Sequence, residues 1–238
     1  MSLDALIFDV DGTLAETEEL HRHTFNETFA LFGLRKIWPD PDAGWVWSVP
    51  LYRALLKTTG GKERIAAYLR DYLDIDPTRH RDRIAAIHEV KTRRYGELVA
   101  EGALRLRPGI ADLVGEARRA GLALALATTT SRANVVALCT SLFEMEASDL
   151  FPVIVAGEDV IAKKPAPDAY HLALERLGIP AGDAIAFEDS RNGLLAAKAA
   201  GLRCVVSPSV YSAGEDFSAA DRVVASFDRL GGLAGLGD

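Results

Sequence analysis

Hydrophobic positions run along this chain in two rhythms. "LDALIFDV" is an apolar run too short for a core helix and is followed at once by Gly12, so it predicts a buried strand ending at Asp9. From Thr17 to Gly33 the spacing turns helical, with Leu20, Phe25, Phe29 and Phe32 near one face. "KIWPDPDAGWVWSVP" then breaks the period with three prolines and three tryptophans. It reads as a loop between helices, whose aromatics either pack across the helical unit, the simpler reading, or cover its opening. Helical spacing resumes over Val49–Thr58, Lys62–Leu73 and Arg79–Glu101. Residues 16–96 therefore hold helix and almost no strand, which predicts an inserted helical domain.

After "RLRPG" the rhythm changes to strand alternating with helix. "IADLVGEARRAG" predicts a helix closed by Gly121, and "LALALATT" a strand. "RANVVALCTSLF", "DAYHLALERLG" and "NGLLAAKAAG" predict further helices; "FPVIVAG", "AIAFEDS" and "LRCVVSP" predict strands. Such alternation predicts an α/β fold, a parallel sheet between two layers of helices, built from residues 1–15 and 97–238. The tail "GLAGLGD" carries few large apolar residues and is expected to fray.

Composition narrows the function classes. Of the 238 residues, 49% are hydrophobic and 26% charged, as in an ordinary globular protein. The formal charge of -7 disfavours nucleic acid and anionic membranes as partners, so a phosphorylated small molecule would need a local cationic pocket. Cys139 and Cys204 lie in apolar surroundings and read as buried thiols of a reducing compartment. With no basic segment ahead of a long apolar run and no sustained apolar stretch of spanning length, the expected location is cytoplasmic. A monomer is the default expectation.

Ligand sites in parallel sheets sit beyond the carboxyl ends of the strands. The unusual polar groups of this chain gather at those ends. Asp9 and Asp11 follow the first predicted strand, Thr128 to Ser131 the second, and Glu188 with Asp189 the last but one; Lys164 follows "VIVAG" after a short connection. Crowded carboxylates resist ionising together unless a cation holds them, and an all-oxygen set suits Mg²⁺. Asp9 and Asp189, with the backbone carbonyl of Asp11, are the expected ligands, and Glu188 is expected behind them, orienting metal-bound water. A carboxylate can also attack phosphorus. Asp9 is the candidate nucleophile, and Asp11 the candidate acid for the leaving oxygen and later base for water. Gly12 allows the tight turn that aims backbone N–H groups at a phosphate, while Thr128 and Lys164 would supply a hydroxyl and a positive charge. Thr129, beside Thr128, is a further candidate for phosphate binding; Thr129, Thr130 and Ser131 also have a simpler reading as caps of the next helix. In "TTGGKERI" two glycines precede a first turn bearing Lys62 and Arg64; cations there oppose the helix dipole, so a bound anion, such as a distal phosphate, would explain them.

With these residues in hand, the chain resembles the haloacid-dehalogenase-like hydrolases, in the subgroup that contains beta-phosphoglucomutase and CbbY-type phosphatases. The likeness rests on "DVDGT", Thr128 in "LATTTS", Lys164 in "KKPAPD" and "EDSRNG", and it spans essentially the whole chain. It implies a Rossmann-like core whose helical insertion is a cap domain closing over the sugar end of a substrate. It also implies Asp9 as nucleophile, Asp11 as general acid/base, Mg²⁺ as cofactor, and Asn192 beside Glu188 and Asp189. By the same resemblance Glu18, His21, Lys62 or Arg64, and Lys91 fall at cap or hinge positions that contact the substrate. The implied reaction is hydrolysis of xylulose-1,5-bisphosphate to xylulose 5-phosphate. A beta-phosphoglucomutase-like isomerase, a phosphoglycolate or broad sugar-phosphate phosphatase, and a non-catalytic binding module are the alternatives. "TLAETEE" after the nucleophile turn and the Trp- and Pro-containing insertion favour hydrolysis over phosphate migration.

Overall fold

The computed structural model describes residues 3–40 and 44–237. The chain divides into two compact units, one formed by residues 1–17 with 104–238 and the other by Glu18–Ala103. The boundary placed at 96/97 from the sequence falls inside a helix that continues to Ala100.

The split unit is built on a parallel sheet of strands β1 (Ala5–Phe8), β2 (Ala123–Ala127), β3 (Val153–Val155), β4 (Ala184–Glu188), β5 (Arg203–Val206) and β6 (Arg222–Val223), in the order β3-β2-β1-β4-β5-β6. β1 is central: Ala5 pairs with Ala123 on one side and Ala184 on the other. Both faces of β1 are buried, which is why it reads as a continuous apolar run rather than an alternating one. Phe8 stacks on Phe187 with ring centroids 4.7 Å apart and meets Phe151 edge-on at 6.3 Å. Ala5 and Ile7 join the opposite layer with Tyr170, Ala173, Leu194 and Ala197. The helices of this unit are α6 (Ile110–Ala120), α7 (Arg132–Phe143), α8 (Ala147–Leu150), α9 (Asp168–Leu177) and α10 (Arg191–Ala199). Chain order runs outward from β1 through β2 to β3, then returns to β4 and runs the other way. The crevice at this reversal, between β1 and β4, is where sheets of this kind bind ligands.

Its composition predicts a tail that frays, but the described residues of the tail, up to Gly237, are tied to the rest of the unit; Asp238 lies outside the described residues. Gly232–Leu236 form a 3₁₀ turn; Leu236 is buried, Leu233 N donates to Glu116 Oε2 at 2.8 Å, and Arg222 Nη1 donates to Gly235 O at 2.5 Å. Gly235 is required by close approach, since a Cβ there would meet Leu230 O at 1.8 Å, and Gly232 takes φ +65°, a conformation that favours glycine.

The contiguous unit contains α1 (Glu18–Leu31), α2 (Leu34–Ile37), α3 (Val49–Leu55), α4 (Gly61–Leu73) and α5 (Arg81–Ala100), with α1 lying along α5. Its tryptophans are core. Trp38, Trp45 and Trp47 are buried, and Phe29 meets the Trp45 and Trp47 rings edge-on at 5.1 and 4.7 Å. Polar groups fix the segment: Trp45 Nε1 donates to Trp38 O at 2.7 Å, and Asn26 pairs with the Trp47 backbone at 2.8 and 3.1 Å. Buried Asp40 accepts from Trp45 N and from the Tyr68 hydroxyl. Pro41, Asp42 and Ala43 of the same predicted loop lie outside the described residues. Among the described residues no helix is long and apolar enough to cross a membrane.

Candidate active site

The polar groups singled out in the split unit converge at the carboxyl ends of β1, β2 and β4. Asp9 is the first residue past β1; its N–H donates to Phe187 O at 3.0 Å, which ties it to the neighbouring strand. Glu188 ends β4 and Asp189 follows it. One carboxylate oxygen from each of Asp9, Glu188 and Asp189 lies within 4.8 Å of the others, and all three residues are buried. Glu188, expected behind the ligands, is thus in the same cluster as Asp9 and Asp189. Asp11 adds no side chain to that cluster; its Oδ1 accepts from Thr17 Oγ1 at 2.7 Å.

Lys164 reaches this cluster from the loop after β3. Its ammonium donates to Asp9 Oδ1 at 2.7 Å, Glu188 Oε1 at 2.6 Å and Ala127 O at 2.7 Å. Tyr170, which sequence reasoning treated only as part of a helix, donates its hydroxyl to Glu188 Oε1 at 2.5 Å. Burial pushes the Asp9 carboxyl up to about 8, with Lys164 opposing and Glu188 reinforcing that rise. For Lys164 burial works against the ammonium, yet Asp9 and Glu188 outweigh it and its pKa rises. One buried ammonium shared by these acids is short of positive charge, and a divalent cation supplies it.

The residues fit Mg²⁺. The donor set is all oxygen, Glu188 Oε2 is buried without a hydrogen-bond partner, and Gly12 leaves room where a Cβ would sit 2.2 Å from Asp189 Oδ2. Gly12 also takes φ +87°, a conformation that favours glycine. From behind, Ser212 Oγ donates to Asp189 O at 2.6 Å, a contact from a segment that carried no signal in the sequence.

Thr128, just past β2, is buried; its N–H donates to Val155 O at 2.9 Å and its Oγ1 accepts from Thr130 N at 3.2 Å. Thr129 follows it, half-buried, and a Cβ on Gly157 would strike its carbonyl oxygen at 2.3 Å, so the glycine of "VIVAG" is needed for this close approach. Ser131 caps α7, accepting from Asn134 N at 3.3 Å. Asn192 stands in the first turn of α10, behind the cap residue Ser190.

In the contiguous unit, the candidates other than Lys62 form two groups. Tyr52, missed in the sequence, joins Glu18 to Arg64: its hydroxyl donates to Glu18 Oε2 at 2.7 Å and accepts from Arg64 Nη1 at 2.7 Å. Arg64 is thereby held inside the unit, which gives it a reason beyond a bound anion; Lys62 is exposed. Gly61 has its own cause, because a Cβ there would meet His88 Nε2 at 2.4 Å. The second group pairs His21 with Lys91. The Lys91 ammonium lies 2.5 Å from His21 Nδ1 and 4.9 Å from each of the Phe25 and Tyr95 ring centroids, and His21 stacks on Tyr95 at 4.0 Å.

Comparison with known proteins places this geometry. Residues 3–201 match the haloacid dehalogenase-like hydrolase family. Protein CbbY of Cereibacter sphaeroides is 56% identical over 234 residues, covering 98% of this chain and 96% of the relative. The crystal structure of CbbY from Rhodobacter sphaeroides in complex with phosphate superposes with a TM-score of 0.89 at 56% identity, over 98% of this chain and 99% of that one. A mutant of that protein crystallised with xylulose-1,5-bisphosphate gives the same TM-score, 0.89, at 55% identity and the same 98% and 99% coverage.

Proposed function

The chain belongs to the haloacid dehalogenase-like hydrolases, and from that premise we propose that it is a Mg²⁺-dependent phosphatase converting xylulose-1,5-bisphosphate to xylulose 5-phosphate. The observation that carries the chemistry is the convergence of Asp9, Glu188 and Asp189 within 4.8 Å of one another, with the Lys164 ammonium on Asp9 and Glu188. The choice of sugar rests on the similarity to a protein crystallised with that bisphosphate.

Asp9 attacks phosphorus and becomes the aspartyl phosphate, while Asp11 gives a proton to the departing sugar oxygen. Asp11, anchored by Thr17, then takes a proton from the water that cleaves the acyl phosphate, returning both carboxylates to their starting states. Lys164 keeps Asp9 aimed and offsets charge on the phosphoryl oxygens, and the backbone at Gly12 with Thr128, Thr129 and Asn192 binds the remaining ones. Asp9, Glu188 and Asp189, with the Asp11 carbonyl, would hold Mg²⁺, which when bound neutralises negative charge on the phosphoryl group. By the family resemblance Glu18, His21 and Lys91, with either Lys62 or Arg64, would serve the sugar and its distal phosphate. The free, buried Cys139 and Cys204 fit a reducing, cytoplasmic location.

The test is phosphate release, with Mg²⁺ and then with EDTA, from xylulose-1,5-bisphosphate, ribulose-1,5-bisphosphate, beta-glucose 1-phosphate and phosphoglycolate. Mg²⁺-dependent preference for the xylulose bisphosphate, lost in Asp9→Asn, is expected. Glucose 6-phosphate formation in a primed assay without net release would overturn hydrolysis in favour of a mutase.

A further inference from the structure

Arg107, in the "RLRPG" stretch that read only as the start of the alternating region, is buried and bonded on every side. Its Nη1 donates to Gly12 O at 2.5 Å and Ser207 O at 2.8 Å. Its Nη2 donates to Ser207 Oγ and Pro208 O, both at 2.9 Å. Nε lies 3.3 Å from Glu16 Oε1, and the guanidinium carbon lies 5.5 Å from the Phe227 ring centroid.

These partners are not scattered. Gly12 is the turn residue whose Cα abuts the Asp189 carboxylate. The Ser207 N–H donates to Glu188 O at 2.9 Å, and Ser212, five residues further on, holds Asp189 O. Glu16 Oε2 in turn accepts from Val210 N at 3.2 Å, so it braces the same 207–212 segment. One guanidinium therefore joins the turn after Asp9 to the segment that grips Glu188 and Asp189. A rigid five-donor fork can hold three carbonyls and a hydroxyl in fixed relation; a lysine ammonium cannot reproduce that pattern.

We propose that Arg107 is a positioning residue for the cation site: it touches neither the cation nor the substrate, and it sets the spacing between the Asp9 turn and the Glu188–Asp189 pair. The proposal rests on the Mg²⁺ assignment of those carboxylates, so its test separates the two. Mg²⁺ binding is measured by calorimetry on the unliganded wild type, Arg107→Met, Arg107→Lys and Ser207→Ala, alongside kcat and KM. Wild-type protein that binds no Mg²⁺ would sink the metal assignment itself.

Given wild-type binding, Arg107→Met is expected to raise the Mg²⁺ dissociation constant at least tenfold and lower kcat at fixed Mg²⁺ by a similar factor. KM for the bisphosphate at saturating Mg²⁺ should stay within threefold. Arg107→Lys should recover little, and added guanidinium should restore part of the Mg²⁺ affinity of Arg107→Met. Leu113→Ala, a core truncation in α6, controls for lost stability and should leave the Mg²⁺ constant within twofold. Should Arg107→Met fail to fold, Ser207→Ala carries the test, with a two- to fivefold weakening of Mg²⁺ binding expected. Mg²⁺ binding unchanged in every folded variant, or weakened equally in Leu113→Ala, overturns the proposal.

Discussion

Gly193 offers a sharp probe of the acidic cluster. A Cβ at this position in α10 would lie 1.8 Å from Glu188 Oε2, 2.0 Å from Cδ and 2.2 Å from Oε1. The end of a long side chain ordinarily yields to such a clash. Glu188 is fully buried, however, and its Oε1 accepts from both Lys164 and Tyr170. Relief in Gly193→Ala has two routes. Swinging Glu188 aside breaks a buried ion pair, at about 3–5 kcal/mol. Backing α10 off the sheet is an overpacking response, at roughly 1–3 kcal/mol. The cheaper route sets the scale, and the better helix propensity of alanine returns about 1 kcal/mol. A net loss of up to about 2 kcal/mol is expected in urea denaturation, together with at least a tenfold fall in phosphate release at fixed Mg²⁺, because either route displaces a carboxylate of the cluster. Gly96→Ala in α5 is the matched control, since nothing lies within 4 Å of its Cβ; it should be neutral or stabilised by about 0.5–1 kcal/mol. A Gly193→Ala protein with wild-type midpoint and wild-type turnover would refute the steric argument and the placement of Glu188 with it.

Other outcomes follow from the same contacts. Tyr170→Phe removes a hydrogen bond to a charged acceptor, so a loss of about 1–2 kcal/mol is expected with a several-fold rise in Mg²⁺ half-saturation; an unchanged Mg²⁺ titration would separate Tyr170 from the site. Arg64→Ala breaks the buried link to Tyr52 and Glu18 and should cost about 2–4 kcal/mol, whereas Lys62→Ala should stay within about 0.5 kcal/mol; equal thermal shifts would contradict the burial difference. The Asp9 carboxyl, raised by burial from 3.8 to about 8, keeps its proton in the native metal-free protein where the unfolded chain has lost it. Between those values its contribution to stability falls as pH rises, by up to about 1.4 kcal/mol per unit, and that slope should vanish from the wild-type minus Asp9→Asn difference if Mg²⁺ is added. Parallel pH profiles for the two metal-free proteins would show that Asp9 is not so perturbed.

The sequence showed what local chemistry dictates. Asp9, Asp11 and Asp189 could be picked out because they end apolar strands on one side of an alternating pattern, and Lys164 because it follows such a strand after a short connection; the longer helices of both units follow from spacing, whereas the four-residue helices α2 and α8 are too short to leave a period. Contacts made across the fold left no such mark. Tyr170 looks like any apolar-face aromatic until β4 is beside it, and Arg107 like a solvated charge until Ser207, a hundred positions away, supplies its acceptors. Tyr52 likewise gains meaning only beside Glu18 and Arg64. The tail misled for a different reason. Its large side chains are few, but its glycines permit backbone contact with Glu116 and Arg222 that composition does not register.

The central place of β1 bears on how the protein is made. Its two hydrogen-bonding neighbours are contributed by Ala123–Ala127 and Ala184–Glu188, so the first strand to leave the ribosome waits through residues 9–122 for one partner and longer still for the other. The contiguous Glu18–Ala103 unit meets no such delay, since all of its residues precede β2 and β4 in the chain. During translation, then, a helical body can form while an apolar strand ending in an aspartate still lacks its neighbours. Enzymatic competence arrives late and at once, when β4 docks and brings Glu188 and Asp189 to Asp9, and that waiting strand is the segment a chaperone would be expected to shield.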